Sequence, residues 1–272
     1  MISRFFRKSA PEPRAIPVLP AGERVYAIGD VHGHAELLDK LLVSIVEDDA
    51  ARPRAKTTVI FLGDLMDRGP DSAGVIDRAI AFAKANADNP DIQVRFLKGN
   101  HEEVFLRSAS GDERATRHFI RMGGRETILS YPITLDEYDH MTVEELAQRL
   151  LTLIPREHVD FVHDFENSIV IGDYAFVHAG VRPGVAIDEQ RNSDLRWIRE
   201  GFVNDNTPHD KMIVHGHTIF DDVDMQPNRI GVDTGAYRTG KLSALGLEGT
   251  ERWVLQAVAE AHPERAQPGW DG

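Results

Sequence analysis

The chain has 272 residues, 42% hydrophobic and 28% charged, enough to bury most of its apolar surface in one large α/β domain or two small ones. Its formal net charge of -13 and sequence pI near 5.4 argue against nucleic-acid binding, which needs a basic face, but not against phosphate substrates, because bound cations can reverse a local field. With no cysteine, disulfides, Cys-ligated zinc and a cysteine-nucleophile mechanism are excluded, and a cytoplasmic location is expected.

Residues 1–20 hold four prolines among polar residues and read as a flexible tail. The start, Met1-Ile2-Ser3-Arg4-Phe5-Phe6-Arg7-Lys8, is basic and lacks the apolar segment of a secretory signal. No apolar run reaches the roughly 18–20 residues of a membrane helix, so no stable membrane insertion is expected. A strand is predicted over 24–28, then the loop Gly29-Asp30-Val31-His32-Gly33, then a helix carried by Leu37, Leu38, Leu41, Leu42 and Ile45. The unit recurs as strand 57–62, loop Gly63-Asp64-Leu65-Met66-Asp67-Arg68-Gly69-Pro70 and a helix from Asp71 to about Ala87. A third copy has strand 92–97, loop Lys98-Gly99-Asn100-His101 and a helix from about Glu102. Three strand–loop–helix units imply an α/β fold with a parallel sheet, whose ligands sit at the carboxyl ends of the strands.

Residues 111–166 break this rhythm and read as a helical insertion, with a helix over 143–153 capped by Thr142 as its clearest element. Strands 168–171 and 174–177 flank Gly172-Asp173, the spacing of a tight hairpin. Further strands are predicted at 212–214, 229–232, 242–247 and 252–258, and a polar tail over 261–272. Residues 21–260 are therefore taken as one domain.

Five loops carry hard and borderline metal ligands next to glycine: Asp30 and His32; Asp64 with Asp67 and Arg68; Asn100, His101 and Glu102; His178; and His217. Carboxylate and imidazole donors suit manganese, iron or zinc, and an adjacent glycine lets the backbone turn sharply beside an ion. Taken singly, an Asp beside Gly is most often a turn residue and a lone His is most often structural. It is their co-occurrence, in order, at the ends of predicted strands that points to a metal site.

The segments Gly29-Asp30-Val31-His32-Gly33, Gly63-Asp64-Leu65-Met66-Asp67-Arg68-Gly69 and Gly99-Asn100-His101-Glu102 resemble the signature of the calcineurin-like metallophosphoesterases. Within these they are most similar to the phosphoprotein phosphatase family, which joins serine/threonine phosphatases and bacterial diadenosine tetraphosphatases. His178-Ala179-Gly180, Gly216-His217-Thr218 and Asp233-Thr234-Gly235-Ala236 extend the match. The resemblance implies a four-layer αββα sandwich with a helical insertion and a dinuclear centre holding two divalent ions, manganese first, with iron, zinc or nickel as alternatives. It implies that Asp30 and His32 bind the first metal, that Asp64 bridges, and that Asn100, His178 and His217 complete the second. It further implies that Arg68 and Arg199 hold the substrate phosphate beside Asn100, and that His101, oriented by Asp67, is the general acid.

Such a pair of cations can activate water and clamp the attacking and leaving oxygens of an in-line displacement. The leading expectation is a phosphoserine/phosphothreonine protein phosphatase acting on a phosphoprotein or small phosphorylated substrate. The alternative is a dinucleoside polyphosphate hydrolase for diadenosine tetraphosphate. A catalytically inactive phosphate-binding module is disfavoured, because every expected ligand and the acid are present. Oligomeric state is left open.

Some residues fall outside this set. Ile219 stands where the wider superfamily often has a second histidine after Gly-His, and His215 reads as structural. His34 is expected at a helix start and Asp233 to fix a loop. Gly235-Ala236-Tyr237-Arg238-Thr239-Gly240-Lys241 imitates a P-loop, but Leu242 follows instead of Ser or Thr, and nucleotide-triphosphatase activity is rejected. Tyr237 and Arg238 remain candidates for the rim of the substrate cleft. Arg121 and Arg125, around Met122-Gly123-Gly124, are balanced between a loop role and a substrate grip.

Overall fold

Along strand β1 (Glu23–Ile28) alternate side chains face opposite ways, as the two-residue period of a strand requires. Val25 and Ala27 enter one apolar cluster, whereas Tyr26 and Ile28 enter another. Strand β2 (Lys56–Phe61) repeats the pattern, with Ile60 in the first cluster and Val59 and Phe61 in the second. A sheet apolar on both faces must be covered on both, and that demand organises the fold.

A computed structural model describes residues 16–260. After β1 come α1 (Ala35–Ala51), β2, α2 (Ser72–Asn86), β3 (Ile92–Phe96) and α3 (Asn100–Ala109). The insertion follows as α4 (Glu113–Phe119), a π-helical turn (Ile120–Gly124), α5 (Arg125–Leu129), α6 (Leu135–His140), α7 (Val143–Leu153) and α8 (Arg156–His163). The last third holds β4 (Ser168–Ile171), β5 (Tyr174–Val177), α9 (Asn192–Trp197), α10 (Glu200–Val203), β6 (Met212–His215), β7 (Asp224–Met225), β8 (Arg229–Gly231), α11 (Ala236–Thr239), β9 (Lys241–Glu248) and β10 (Glu251–Val258).

The strands form two five-stranded sheets, in the orders β10-β9-β1-β2-β3 and β4-β5-β6-β8-β7. Their facing sides meet in one cluster, where Val25, Ile60 and Leu245 of the first sheet pack with Tyr174, Phe176 and Val214 of the second. Helices α1, α2 and α3 and the insertion cover the outer face of the first sheet. Leu195 and Phe202, from α9 and α10, cover Ala175, Val177 and Ile213 on the outer face of the second. Helix, sheet, sheet and helix make the four-layer αββα sandwich expected from the motifs.

The expectation of a parallel sheet holds only for the strands nearest the site. β1, β2 and β3 are parallel, as are β5, β6 and β8. β9 joins β1 antiparallel and β10 joins β9, while β4 and β7 edge the second sheet antiparallel. Local strand–loop–helix units announced the first sheet's parallel core, but the pairing of β9 with β1 joins opposite ends of the described residues and leaves no local signal. The hairpin at Gly172-Asp173 forms as expected, with Ile171 opposite Tyr174.

The expected tails fall mostly on residues 1–15 and 261–272, outside the described residues. Within 16–20, Leu19 is buried between the sheets, and its N–H bonds to Gly249 O. No helix among the described residues is long and apolar enough to cross a membrane.

Candidate metal centre

Asp30, Asp64, Asn100, His178, His217 and Asp233 lie just past the carboxyl ends of β1, β2, β3, β5, β6 and β8, where the two parallel groups of strands meet. The loops there are tightly coiled. Among the described residues, those other than glycine with positive φ are His32, Asp64, Asp67, Arg68 and His217, all members of the expected site. Holding such a residue left-handed costs about 1–3 kcal/mol, so the surroundings must enforce it. Close approach adds a second constraint: a Cβ on Gly99 would lie 2.2 Å from Asp64 Oδ1, and one on Gly216 would lie 2.2 Å from Asp30 Oδ1.

Glu102 supplies much of the enforcement. Its buried carboxylate accepts the N–H groups of Asp64 at 2.9 Å, Leu65 at 2.8 Å and Gly99 at 2.8 Å. By reaching back to Gly99 it caps α3 two residues earlier than its sequence suggested, and so sets Asn100 and His101 in the first helical turn.

Asp64 is the common vertex. Its Oδ2 lies 3.8 Å from His32 Nε2, 3.8 Å from His101 Nε2 and 3.4 Å from His178 Nε2. His178 Nε2 is in turn 3.0 Å from Asn100 Oδ1 and 3.2 Å from His217 Nδ1. Asp30 accepts the His217 N–H on both oxygens at 3.1 Å and lies 4.0 Å from His32 Nε2. Two buried triads share Asp64: His32, Asp64 and His101, and Asp64, His178 and His217.

The donor set fits metal ions. His32 and His178 each place Nδ1 2.8 Å from a backbone carbonyl, Met66 O and Leu62 O, which fixes Nδ1 as the N–H and turns the Nε2 lone pair inward. The buried carboxylates Asp30, Asp64 and Asp233 have no Lys or Arg ion pair among the described residues. Burial, then Asp233 and Asp64, push Asp30 well above the usual carboxylate range. For His178, burial works downward but Asp64 and Asp30 outweigh it, and the ring is pushed up to about 10. A proton held there is what a cation would displace. The chain thus carries a dinuclear divalent-metal site.

Around this centre, His101 Nδ1 lies 2.5 Å from Asp67 Oδ2, while its buried Nε2 has no hydrogen-bond partner. Arg68 Nη1 lies 2.9 Å from His32 Nε2, and its guanidinium sits over the Tyr237 ring at 4.7 Å. Arg199 donates from Nε to His217 Nε2 at 2.9 Å, whereas Arg196 is held by Glu103 and Asn167. The structure therefore brings together every expected site residue: Asp30, His32, Asp64, Asp67, Arg68, Asn100, His101, His178, Arg199 and His217.

Of the remaining candidates, Asp233 and Tyr237 stay beside the centre and the others separate from it. His215 bonds Gly216 O and packs between Phe202 and Phe220. Asp233 accepts the Gly235 N–H at 2.8 Å. The P-loop-like run forms the single turn α11 before β9, with Lys241 Nζ on Asp221 O. Arg125 lies against Glu126 and Tyr138, away from the centre. What the insertion brings to the site is Gly123, whose carbonyl accepts the Arg68 N–H, and Thr127, bonded to Asp67. The roles of Glu102 and Thr127 had no local signal: one acts through backbone amides, the other across 60 residues.

The profile of the calcineurin-like phosphoesterase family matches residues 23–242. The chain is 27% identical over 259 residues to the asymmetrical bis(5'-nucleosyl)-tetraphosphatase PrpE of Anoxybacillus flavithermus, covering 89% of this chain and 97% of that one. It is 25% identical over 229 residues to serine/threonine-protein phosphatase 2 of Escherichia coli, covering 80% and 90%. A crystal structure carrying the provisional name of a diadenosine tetraphosphatase superposes with a TM-score of 0.58 at 20% identity, covering 87% of this chain and 94% of the other. At that identity the superposition bears on the fold alone.

Proposed function

Because the chain belongs to the calcineurin-like phosphoesterase family and carries the dinuclear site of a metal-dependent hydrolase, we propose that its substrate is a dinucleoside polyphosphate such as diadenosine tetraphosphate, cleaved at a phosphoanhydride bond. The observation that carries this reading is the likeness to a bis(5'-nucleosyl)-tetraphosphatase over nearly the full length of both chains. Two half-exposed aromatic rings support it. Tyr237 lies beside Arg68 and edge-on to His32, and Trp197 is held by Glu103 near Arg199. A half-exposed ring can stack on a nucleobase, here beside Arg68, which lies over Tyr237, and His118, which lies against Trp197. This reading ranks dinucleoside polyphosphates ahead of phosphoproteins, the reverse of the order expected from the motifs.

In this reading Asp30 and His32, with Asp64 shared, hold one cation, and Asn100, His178 and His217 hold the second; manganese is the first choice. When bound, the pair supplies the Lewis acidity that activates water and clamps the phosphoryl oxygens. Arg68 and Arg199 present guanidinium donors to the phosphate from opposite sides of the centre. His101 offers Nε2 to the leaving oxygen, with Asp67 holding Nδ1 and favouring the protonated ring.

A phosphoserine/phosphothreonine phosphatase is the second reading. It is favoured by the likeness to serine/threonine-protein phosphatase 2 and by the His101–Asp67 pair, since a departing alkoxide needs a proton more than a departing nucleotide does. The test is kcat/KM for diadenosine tetraphosphate against a phosphoserine peptide, on metal-free protein with Mn, Fe, Zn, Ni or Mg restored in turn. Higher kcat/KM for the dinucleotide is expected; preference for the phosphopeptide reverses the two readings.

A further inference from the structure

Asp67 and Arg68 are consecutive left-handed residues, with φ of 72° and 69°. The helical insertion holds both. The Asp67 N–H bonds to Thr127 Oγ1 at 2.9 Å, shared with Ser72 Oγ at 3.0 Å, and the Arg68 N–H bonds to Gly123 O at 3.0 Å. Gly123 has φ of 102°, and a Cβ there would lie 2.7 Å from Arg68 Cγ, so only glycine lets the π-helical turn approach so closely. The Thr127 hydroxyl also donates to Asp67 Oδ1 at 2.5 Å. With Oδ1 occupied, Asp67 presents Oδ2 to His101 Nδ1. Thr127, Asp67 and His101 are all fully buried, so no water competes along this chain.

We propose that the insertion is a positioning clamp on the Asp67-Arg68 turn, and that Thr127 is the positioning residue through which it aligns His101. The cap over the site thus sets the proton donor's orientation and the phosphate-gripping arginine's backbone together. This rests on His101 being the proton donor and is independent of which phosphate compound is the natural substrate. A donor held out of line loses proton transfer, and that loss grows with the basicity of the leaving oxygen. Displacing the whole turn would instead slow every ester alike.

The test compares phenyl phosphate, whose leaving oxygen is basic, with p-nitrophenyl phosphate, whose leaving oxygen is not, on metal-loaded enzyme. Thr127→Val is expected to lower kcat for phenyl phosphate about ten-fold and for p-nitrophenyl phosphate less than about three-fold, with KM little changed; Thr127→Ser, which keeps the hydroxyl, should restore both. A second reading uses metal-free protein labelled at histidine with ¹⁵N. The His101 Nδ1–H proton, identified by its loss in His101→Asn, should resonate far downfield in wild type and Thr127→Ser and shift upfield in Thr127→Val. Equal kinetic losses on both esters, or an unmoved Nδ1–H resonance in Thr127→Val, overturns the proposal. A wild-type chain that cleaves neither aryl ester nor diadenosine tetraphosphate overturns the hydrolase mechanism and the role of His101 with it. A chain that cleaves both esters but not diadenosine tetraphosphate overturns only the substrate proposal.

Discussion

His101 illustrates how a side chain acquires chemistry from its neighbours. Burial pushes its pKa down, but Asp64 and Asp67 more than offset this, and the ring is held above its ordinary value and so tends to keep a proton. His101→Asn should lower kcat on basic leaving groups about 10²- to 10⁴-fold, the range of general acid catalysis, with a smaller loss on p-nitrophenyl phosphate and an unchanged near-UV circular dichroism spectrum. Glu102 acts through structure. Glu102→Gln places an amide where three N–H groups converge, and is expected to destabilise the chain by about 2–3 kcal/mol, read as a lower midpoint of urea unfolding, and to weaken metal binding. The ligands were legible because aspartate and histidine beside glycine at strand ends is a rare local pattern. Glu102 stood in the same motif, but its partners are main-chain amides that no side-chain pattern names.

At the level of elements, α1 is fastened to the first sheet by Asp48. Its Oδ2 accepts from Tyr26 Oη at 2.6 Å, Trp253 Nε1 at 2.9 Å and Arg52 Nε at 2.9 Å. The partial burial of Asp48 works against its charge, but Arg52 and Tyr26 outweigh that and its pKa is lowered. A lowered folded-state pKa gives a contribution fully present above the unfolded value near 4 and lost as pH falls through the folded value. Asp48→Ala should therefore cost about 1–2 kcal/mol in urea unfolding at pH 7, and the difference from wild type should vanish at low pH. The helical period of α1 was plain in Leu37, Leu38, Leu41 and Leu42, and the Thr142 cap on α7 was equally readable. The start of α3 was not, because Glu102 draws Asn100 and His101 into the helix from a loop-like sequence.

For the whole molecule, local sequence names strands but not their neighbours. The pairing of β9 with β1 joins residues more than 200 apart, and the second sheet is assembled from short strands whose order follows from burial between two layers. That assembly converges the buried Asp30, Asp64 and Asp233 with no Lys or Arg ion-paired to them among the described residues, and in the metal-free fold burial and neighbouring carboxylates push Asp30 and Asp233 up. A ligand that binds only the folded state at 100 times its Kd stabilises by about 2.7 kcal/mol. Chelation should accordingly lower the melting temperature by several degrees, and readdition of manganese should restore it; a melting curve indifferent to metal would speak against the site.

The most direct measurement is anomalous diffraction from crystals grown with manganese. Two peaks are predicted, one within bonding distance of His32 and Asp64, the other within bonding distance of Asp64, His178 and His217, with Asp64 between them. A single peak, or two peaks that share no contact with Asp64, would contradict a dinuclear centre built on that carboxylate.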